Sequence, residues 1–246
     1  MSLLQLDGVS KKFGQVVVGQ EITFRLEEGA AVGIIGPNGA GKTSLFAMIS
    51  GDVKPDAGEI EFDGHDLAHL SQAARARLGI GRTYQVPRPF EHMTVFENAL
   101  LAAQQGARTR GQASYVLAYD SLSRTGLSDF ANVSAGSLAL MHRKRLELAR
   151  ALSTRPRILL LDEIAGGLTD LEVNELTSII RGLRAEGIAV LWIEHVVRAL
   201  LSTVDRLLCL SSGAIIADGD PKEVMASEAV RSIYLGGKII NTTLGA

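Results

Sequence analysis

The sequence predicts an α/β fold in which helices cover a parallel sheet, and three observations carry that expectation. Continuous apolar runs at 31–35, 158–161 and 188–193 suit strands buried on both faces. Segments with helical spacing of apolar residues separate them. The first run also ends in a glycine-rich turn that opens into a helical stretch, SLFAMIS, closed by Gly51.

The chain has 246 residues, enough for one or two domains with a large core. Apolar residues make up 46% and charged residues 21%, a globular composition that excludes disordered and fibrous classes. Lysines and arginines number 25 against 27 aspartates and glutamates, a formal charge of −2. That balance argues against a broadly basic nucleic-acid binder, and 5% aromatics argue against a base-stacking platform. No apolar run approaches the roughly 18 residues of a membrane helix, and the start, MSLLQLDGVS, has no secretory pattern. The single Cys209, in the run RLLCL, excludes a disulfide scaffold and reads as a core residue. A cytoplasmic protein is expected, with any membrane role reached through a partner.

Taken in order, 3–9 and 22–26 alternate as half-buried strands do. The buried strand 31–35 and its helix follow. Pro55, Gly58 and Gly64 mark turns around a strand at 59–62. From 86 to 150 the chain is rich in Ala, Leu, Gln and Arg, and Phe96, Leu100, Leu101, Tyr115, Leu117 and Leu122 have helical spacing, which predicts a helical subdomain. Strand–helix alternation resumes at Arg157: ILLLDE, a helix over 170–186, AVLWIEH, a helix, RLLCLS and a hairpin around 212–213. The expected organisation is one domain over 1–246. Its core is about 1–85 and 151–236, its helical subdomain about 86–150, and a loosely held tail covers 237–246.

Gly36, Pro37, Asn38, Gly39, Ala40, Gly41, Lys42 and Thr43 fit G-x-x-x-x-G-K-[ST], with Ser44 next. A triphosphate needs many donors at close range. Glycines let the amides of 38–44 turn inward, and the helix adds its positive N-terminal end. Lys42 is expected to reach the β and γ phosphates of ATP, and the Thr43 hydroxyl to meet Mg²⁺. The strand at 158–161 runs into Asp162 and Glu163, at the carboxyl end where α/β sheets place ligands. Asp162 is expected to hold Mg²⁺ through water, and Glu163 to orient and polarise water for attack on the γ phosphate. Alone, such a strand end is common; downstream of a phosphate loop it reads as catalytic.

Further motifs fall in a fixed order around these two. Phe13 sits in KKFG, Gln85 ends GIGRTYQ, an arginine-rich helix ending LELARAL precedes the acidic strand, and His195 follows AVLWIE. Over about residues 3–236 this resembles the nucleotide-binding subunit of an ABC transporter. GIGRTYQVPRPFEHMTVFENALLAA and DGDPKEVMASEAVRSIYLGG are similar to the ATP-binding proteins of branched-chain amino-acid uptake systems. Lipopolysaccharide-export cassettes share a similar ending, and related cassettes import urea or other amides. The resemblance implies a P-loop ATPase with a mixed sheet core, an antiparallel β subdomain and a helical subdomain. It implies a role for Phe13 in stacking on adenine, with a core phenylalanine as the alternative. It implies that Gln85 touches Mg²⁺ or water, that His195 contacts the γ phosphate, and that Gly166, Gly167, Leu168 and Thr169 touch an opposing subunit. It also implies transmembrane permease subunits, a second ATP-binding subunit, a solute-binding protein acting indirectly, and a place on the cytoplasmic face of the membrane.

One departure stands out. The family signature, L-S-G-G-Q, aligns with Leu138, Ala139, Leu140, Met141 and His142, of which only Leu138 agrees. In the family this loop caps the γ phosphate bound by the facing subunit. Ala139 has no hydroxyl, and Met141 is expected to place a side chain where backbone must approach closely. Losing one preorganised donor costs about 3 kcal/mol, a hundredfold or more in rate. Ser134, Gly136 and Ser137 would serve instead only in a shifted register. A heterodimer with one fast and one slow site is one reading of the departure; a tolerated substitution is another. Arg143, Lys144 and Arg145 form either a solvated helix face or a nucleotide-steering or subunit-pairing set.

His65 and His69 lack a third metal ligand nearby, and His92 reads as a surface residue or part of a partner-facing surface. Met93, Phe96 and Leu100 form a stripe that suits a core more than a docking face. The competing functions are a transporter motor, an ATP-gated binding module with little turnover, and a soluble ATPase of translation or DNA repair. The last usually carries two cassettes or a long coiled coil, and this chain has neither.

Overall fold

The computed structural model describes residues 2–235 and contains two sheets that share one apolar core. Strand β1 (Ser2–Phe13) and β2 (Val16–Glu27) form a hairpin. Next come β3 (Ala31–Ile35), α1 (Lys42–Ser50), β4 (Ala57–Phe62), β5 (His65–Asp66), α2 (Gln72–Leu78) and β6 (Ile80–Arg82). Helices α3 (Val95–Gln105), α4 (Gln112–Arg124) and α5 (Leu140–Leu152) follow. The chain then alternates through β7 (Ile158–Asp162), α6 (Asp170–Ala185), β8 (Ala189–Ile193), α7 (Val197–Leu201) and β9 (Arg206–Ser211). It closes with β10 (Ala214–Gly219), α8 (Pro221–Ala226) and α9 (Glu228–Leu235).

The smaller sheet is antiparallel, in the order β2-β1-β4-β5. The larger runs β10-β9-β3-β8-β7-β6 and is parallel except for β10, which pairs antiparallel with β9. The strands buried on both faces obey period 2. In β7, Ile158 and Leu160 join the core shared with α1 and the antiparallel sheet, while Leu159 and Leu161 join the opposite core under α5 and α6. In β8, Ala189, Leu191 and Ile193 face the first core, and Val190 and Trp192 the second. An uninterrupted apolar run is the sequence form of a strand with two dry faces. A third core joins α3, α4 and α5 through Val95, Ala99, Ala118, Leu122, Leu146 and Ala149. Phe96 and Leu100 pack against it, partly buried.

The strand order positions the site. β8 lies between β3 and β7, so the carboxyl ends of three neighbouring parallel strands carry the glycine loop, Glu194-His195 and Asp162-Glu163 side by side. Some short elements depart from expectation: β5, α2, β6, α8 and α9 were not anticipated, and the strand expected at 59–62 begins at Ala57. The expected tail at 237–246 lies outside the described residues. Cys209 is fully buried in β9, and burial pushes its thiol up to about 11.

Candidate nucleotide site

The loop after β3 turns on glycines that no other residue could replace. A β-carbon on Gly36 would lie 2.1 Å from the Leu210 carbonyl oxygen, and one on Gly41 would lie 2.0 Å from that of Val18. Gly41 also has φ 99°, in the left-handed region that disfavours side chains. The amides of Gly39, Gly41, Lys42 and Thr43 have no partner among the described residues. They gather at the N-terminus of α1, an arrangement suited to an anion. Lys42 is buried, and its Nζ donates to the carbonyls of Gly36 at 2.8 Å and Pro37 at 3.1 Å. Burial lowers its pKa, while Glu163 and Asp162 act in the opposite direction. A cavity of about 620 Å³ opens over this loop, lined by Val16, Val18, residues 38–44, Gln85, Glu163 and His195. That volume suits a small-molecule ligand.

The acidic pair divides its surroundings. Asp162 is 2% exposed; one carboxylate oxygen lies 3.6 Å from Arg82, and the other, Oδ1, is buried with no partner among the described residues. Burial raises its pKa, against the pull of Arg82. Glu163 turns outward at φ 47°. Its Oε2 accepts from Gln85 Nε2 at 2.6 Å, and its Oε1 lies 2.9 Å from His195 Nε2. Three residues from distant segments therefore meet at one carboxylate beside the cavity. Phe13 stands apart: it is half exposed at the end of β1, with Lys11 Nζ 5.3 Å from its ring centroid. That exposure excludes the core alternative. Phe13 is not among the lining residues, but its register partner Val16 is.

At the altered signature the structure corrects one expectation. Met141 is buried in the second core, so it does not block the exposed face. The exposed side chain is that of Leu140, which lies against Gly167. Ala139 is the N-cap of α5 and offers no capping hydrogen bond; Leu138 is buried, and the ring of His142 lies 4.2 Å from that of Phe130. The upstream residues are committed elsewhere: the Ser134 hydroxyl donates to the Glu91 carbonyl, and Ser137 to that of Ser134. The basic run is not a solvated face either. Arg143 bonds the carbonyls of Leu138 and Gly136, Arg145 pairs with Glu175, and Lys144 is buried.

Two contacts here lie outside the sequence reading, which placed Lys144 only in a basic run and gave Glu194 no role. Lys144 Nζ donates to the backbone oxygen of Glu163 at 3.3 Å, and Glu194 is a buried carboxylate between β8 and His195. A signal existed for each. Lys144 shares a buried helical stripe with Met141, Leu148 and Ala151. Glu194 ends an apolar strand just as Asp162 does.

Comparison with known proteins defines the class. Residues 20–166 match the ABC transporter family. A nucleotide-free ATP-binding cassette from an ABC transporter superposes with a TM-score of 0.88 at 29% identity, covering 95% of this chain and 99% of that one. The ADP conformation of the ATP-binding cassette MJ1267 gives 0.84 at 28% identity, covering 96% and 99%. The chain belongs to the ABC transporter ATP-binding family. Its end narrows the likeness: residues 214–239 match the branched-chain amino acid ATP-binding cassette transporter family. The high-affinity branched-chain amino acid transport ATP-binding protein BraF of Pseudomonas aeruginosa is 36% identical over 95% of this chain and 98% of its own. The lipopolysaccharide export system ATP-binding protein LptB of Haemophilus influenzae is 34% identical over 96% and 98%.

Proposed function

We propose that this chain is the ATP-hydrolysing subunit of an importer for branched-chain amino acids or related amides. The observation that carries the reading is the Glu163 carboxylate, held by Gln85 and His195 beside the Lys42 loop. The match of 214–239 and the likeness to BraF support the solute class. Lys42 exchanges its two loop carbonyls for the β and γ phosphate oxygens, and the free loop amides hold the rest of the chain of phosphates. Glu163 orients a water and accepts its proton as it attacks. His195 contacts the γ phosphate, Gln85 carries the state of the site toward the helical lobe, and Phe13 stacks on the adenine. Thr43, Gln85 and Asp162 suit Mg²⁺, and the orphaned buried Oδ1 of Asp162 is the feature that fits a cation. The ion, when bound, supplies positive charge against the phosphate oxygens.

No helix among the described residues is long and apolar enough to cross a membrane. The chain acts at the cytoplasmic face through permease subunits, with a solute-binding protein upstream. The exposed Leu140 and uncapped Ala139 favour a second ATP-binding subunit as partner: its signature completes the site built on Lys42 and Glu163, and the altered signature here gives a slower second site. The test is uptake of labelled leucine into proteoliposomes carrying the assembled transporter. Glu163→Gln in this chain abolishes uptake while assembly and ATP binding persist. Undiminished uptake overturns the reading.

A further inference from the structure

Glu194 is 1% exposed, and its two carboxylate oxygens face different loops. Oε2 accepts the amide of Ala165 at 2.9 Å, in the loop that follows β7. Oε1 accepts the amides of His195 at 2.9 Å and Val196 at 3.4 Å, in the loop that follows β8. These are the loops that carry Glu163 and His195, whose side chains meet at 2.9 Å. The first loop needs support, because Glu163 holds a left-handed backbone, φ 47°, that a non-glycine residue adopts only where its surroundings impose it. Part of that support comes from α5: the Glu163 carbonyl accepts from Lys144 Nζ and from the Gly166 amide, each at 3.3 Å. Lys144 is 4% exposed. A buried carboxylate is costly unless hydrogen-bonded and compensated. The three amides supply the hydrogen bonds and Lys144 the compensating charge: burial lowers the lysine's pKa, and Glu194 and then Glu163 oppose that lowering.

We propose that Glu194 and Lys144 are positioning residues for hydrolysis: Glu194 ties the Glu163 loop to the His195 loop, and Lys144 fixes the Glu163 backbone from the helix that carries the signature. The inference rests on the ATPase reading of this site. The chemistry requires a carboxylate at 194. Glutamine has the same length but a single acceptor oxygen, and its NH₂ would face an amide N–H. It can therefore hold one loop, not both. Lys144 also gives α5 a direct handle on Glu163, so that a shift of the helix moves the carbonyl of the residue that orients water.

The experiment compares wild type, Glu194→Gln, His195→Ala and the double variant in steady-state hydrolysis by the full chain with its transporter subunits. Glu194→Gln lowers kcat by about 10- to 100-fold, as a displacement of about 1 Å does, with KM for ATP changed less than about twofold. The double variant falls no more than about threefold below His195→Ala alone, because the register between the two loops then has nothing to align. Full additivity of the two losses, as a general loss of folded protein would give, overturns the proposal. Lys144→Met lowers kcat in the same way and Lys144→Arg restores it; a fully active Lys144→Met overturns the role of the lysine. A crystal structure of Glu194→Gln decides the point without turnover, so a failure of the ATPase reading itself stays separate. The proposal requires the Glu163–His195 contact to be lost, and an unchanged contact refutes it.

Discussion

Replacing Ala139 with serine restores the missing hydroxyl of the signature, and its effect on stability follows from the geometry at the start of α5. Ala139 occupies the N-cap with φ −64° and ψ 161°, the extended backbone that capping residues adopt. Its carbonyl already accepts the first helical bond, from Arg143 at 3.0 Å. The amides of Leu140, Met141 and His142 have no partner among the described residues. A serine hydroxyl in this position accepts from the second or third of these, and a cap is worth about 1 kcal/mol over alanine. Helix α5 is bound into two of the three cores through Met141, Leu146, Leu148 and Leu152, so the gain reaches the folded unit as a whole. For a chain of this size about 1 kcal/mol raises Tm by about 2–4 °C. Urea and thermal unfolding of Ala139→Ser, beside Ala139→Thr and Ala139→Val, isolate the hydroxyl, since threonine and valine share a shape. Serine and threonine should gain and valine should not. Equal stability of serine and alanine, or a gain with valine, would refute the cap geometry.

Gly41→Ala abolishes nucleotide binding and destabilises the chain by at least about 1 kcal/mol, because its β-carbon meets the Val18 carbonyl at a positive φ; isothermal titration and unfolding check both effects. Asp162→Asn removes a charge that burial disfavours, so Tm of the nucleotide-free chain stays level or rises while turnover falls about a hundredfold or more; a parallel loss of Tm and turnover would contradict the assignment. Cys209, raised from 9.0 to about 11, releases its proton in the unfolded chain first. Its contribution to stability is therefore complete below pH 9 and is lost as pH rises toward 11, and its thiol resists alkylation at pH 8 until the chain unfolds.

The strands that carry the site were legible because each is dry on both faces and so reads as an unbroken apolar run. The glycine loop was legible for a related reason: its backbone passes so close to Val18 and Leu210 that the residue type is forced. β6 was hidden because Ile80-Gly81-Arg82 is too short to show a period and gains its place only by pairing with β7. Met141 misled because the aligned motif marks a close approach of backbone, while the direction of a helical side chain depends on what the helix packs against. Glu194 escaped notice, and Lys144 was placed only in a basic run, because charged residues read as surface until the fold brings α5, β7 and β8 together around them. Glu163 was named from the acidic strand end behind the glycine loop, Gln85 and His195 from the resemblance, and their meeting at one carboxylate is a fact of the strand order that residue spacing does not contain.

Steady-state ATP hydrolysis tests the central claim most directly, measured on this chain mixed with the second ATP-binding subunit proposed above. The background is the same mixture with Glu163→Gln in this chain only. The account predicts turnover well above that background, with ATP binding unchanged by the substitution. Intact ATP binding with equal turnover in the two mixtures would contradict it, since no hydrolysis would then depend on the carboxylate that Gln85 and His195 hold.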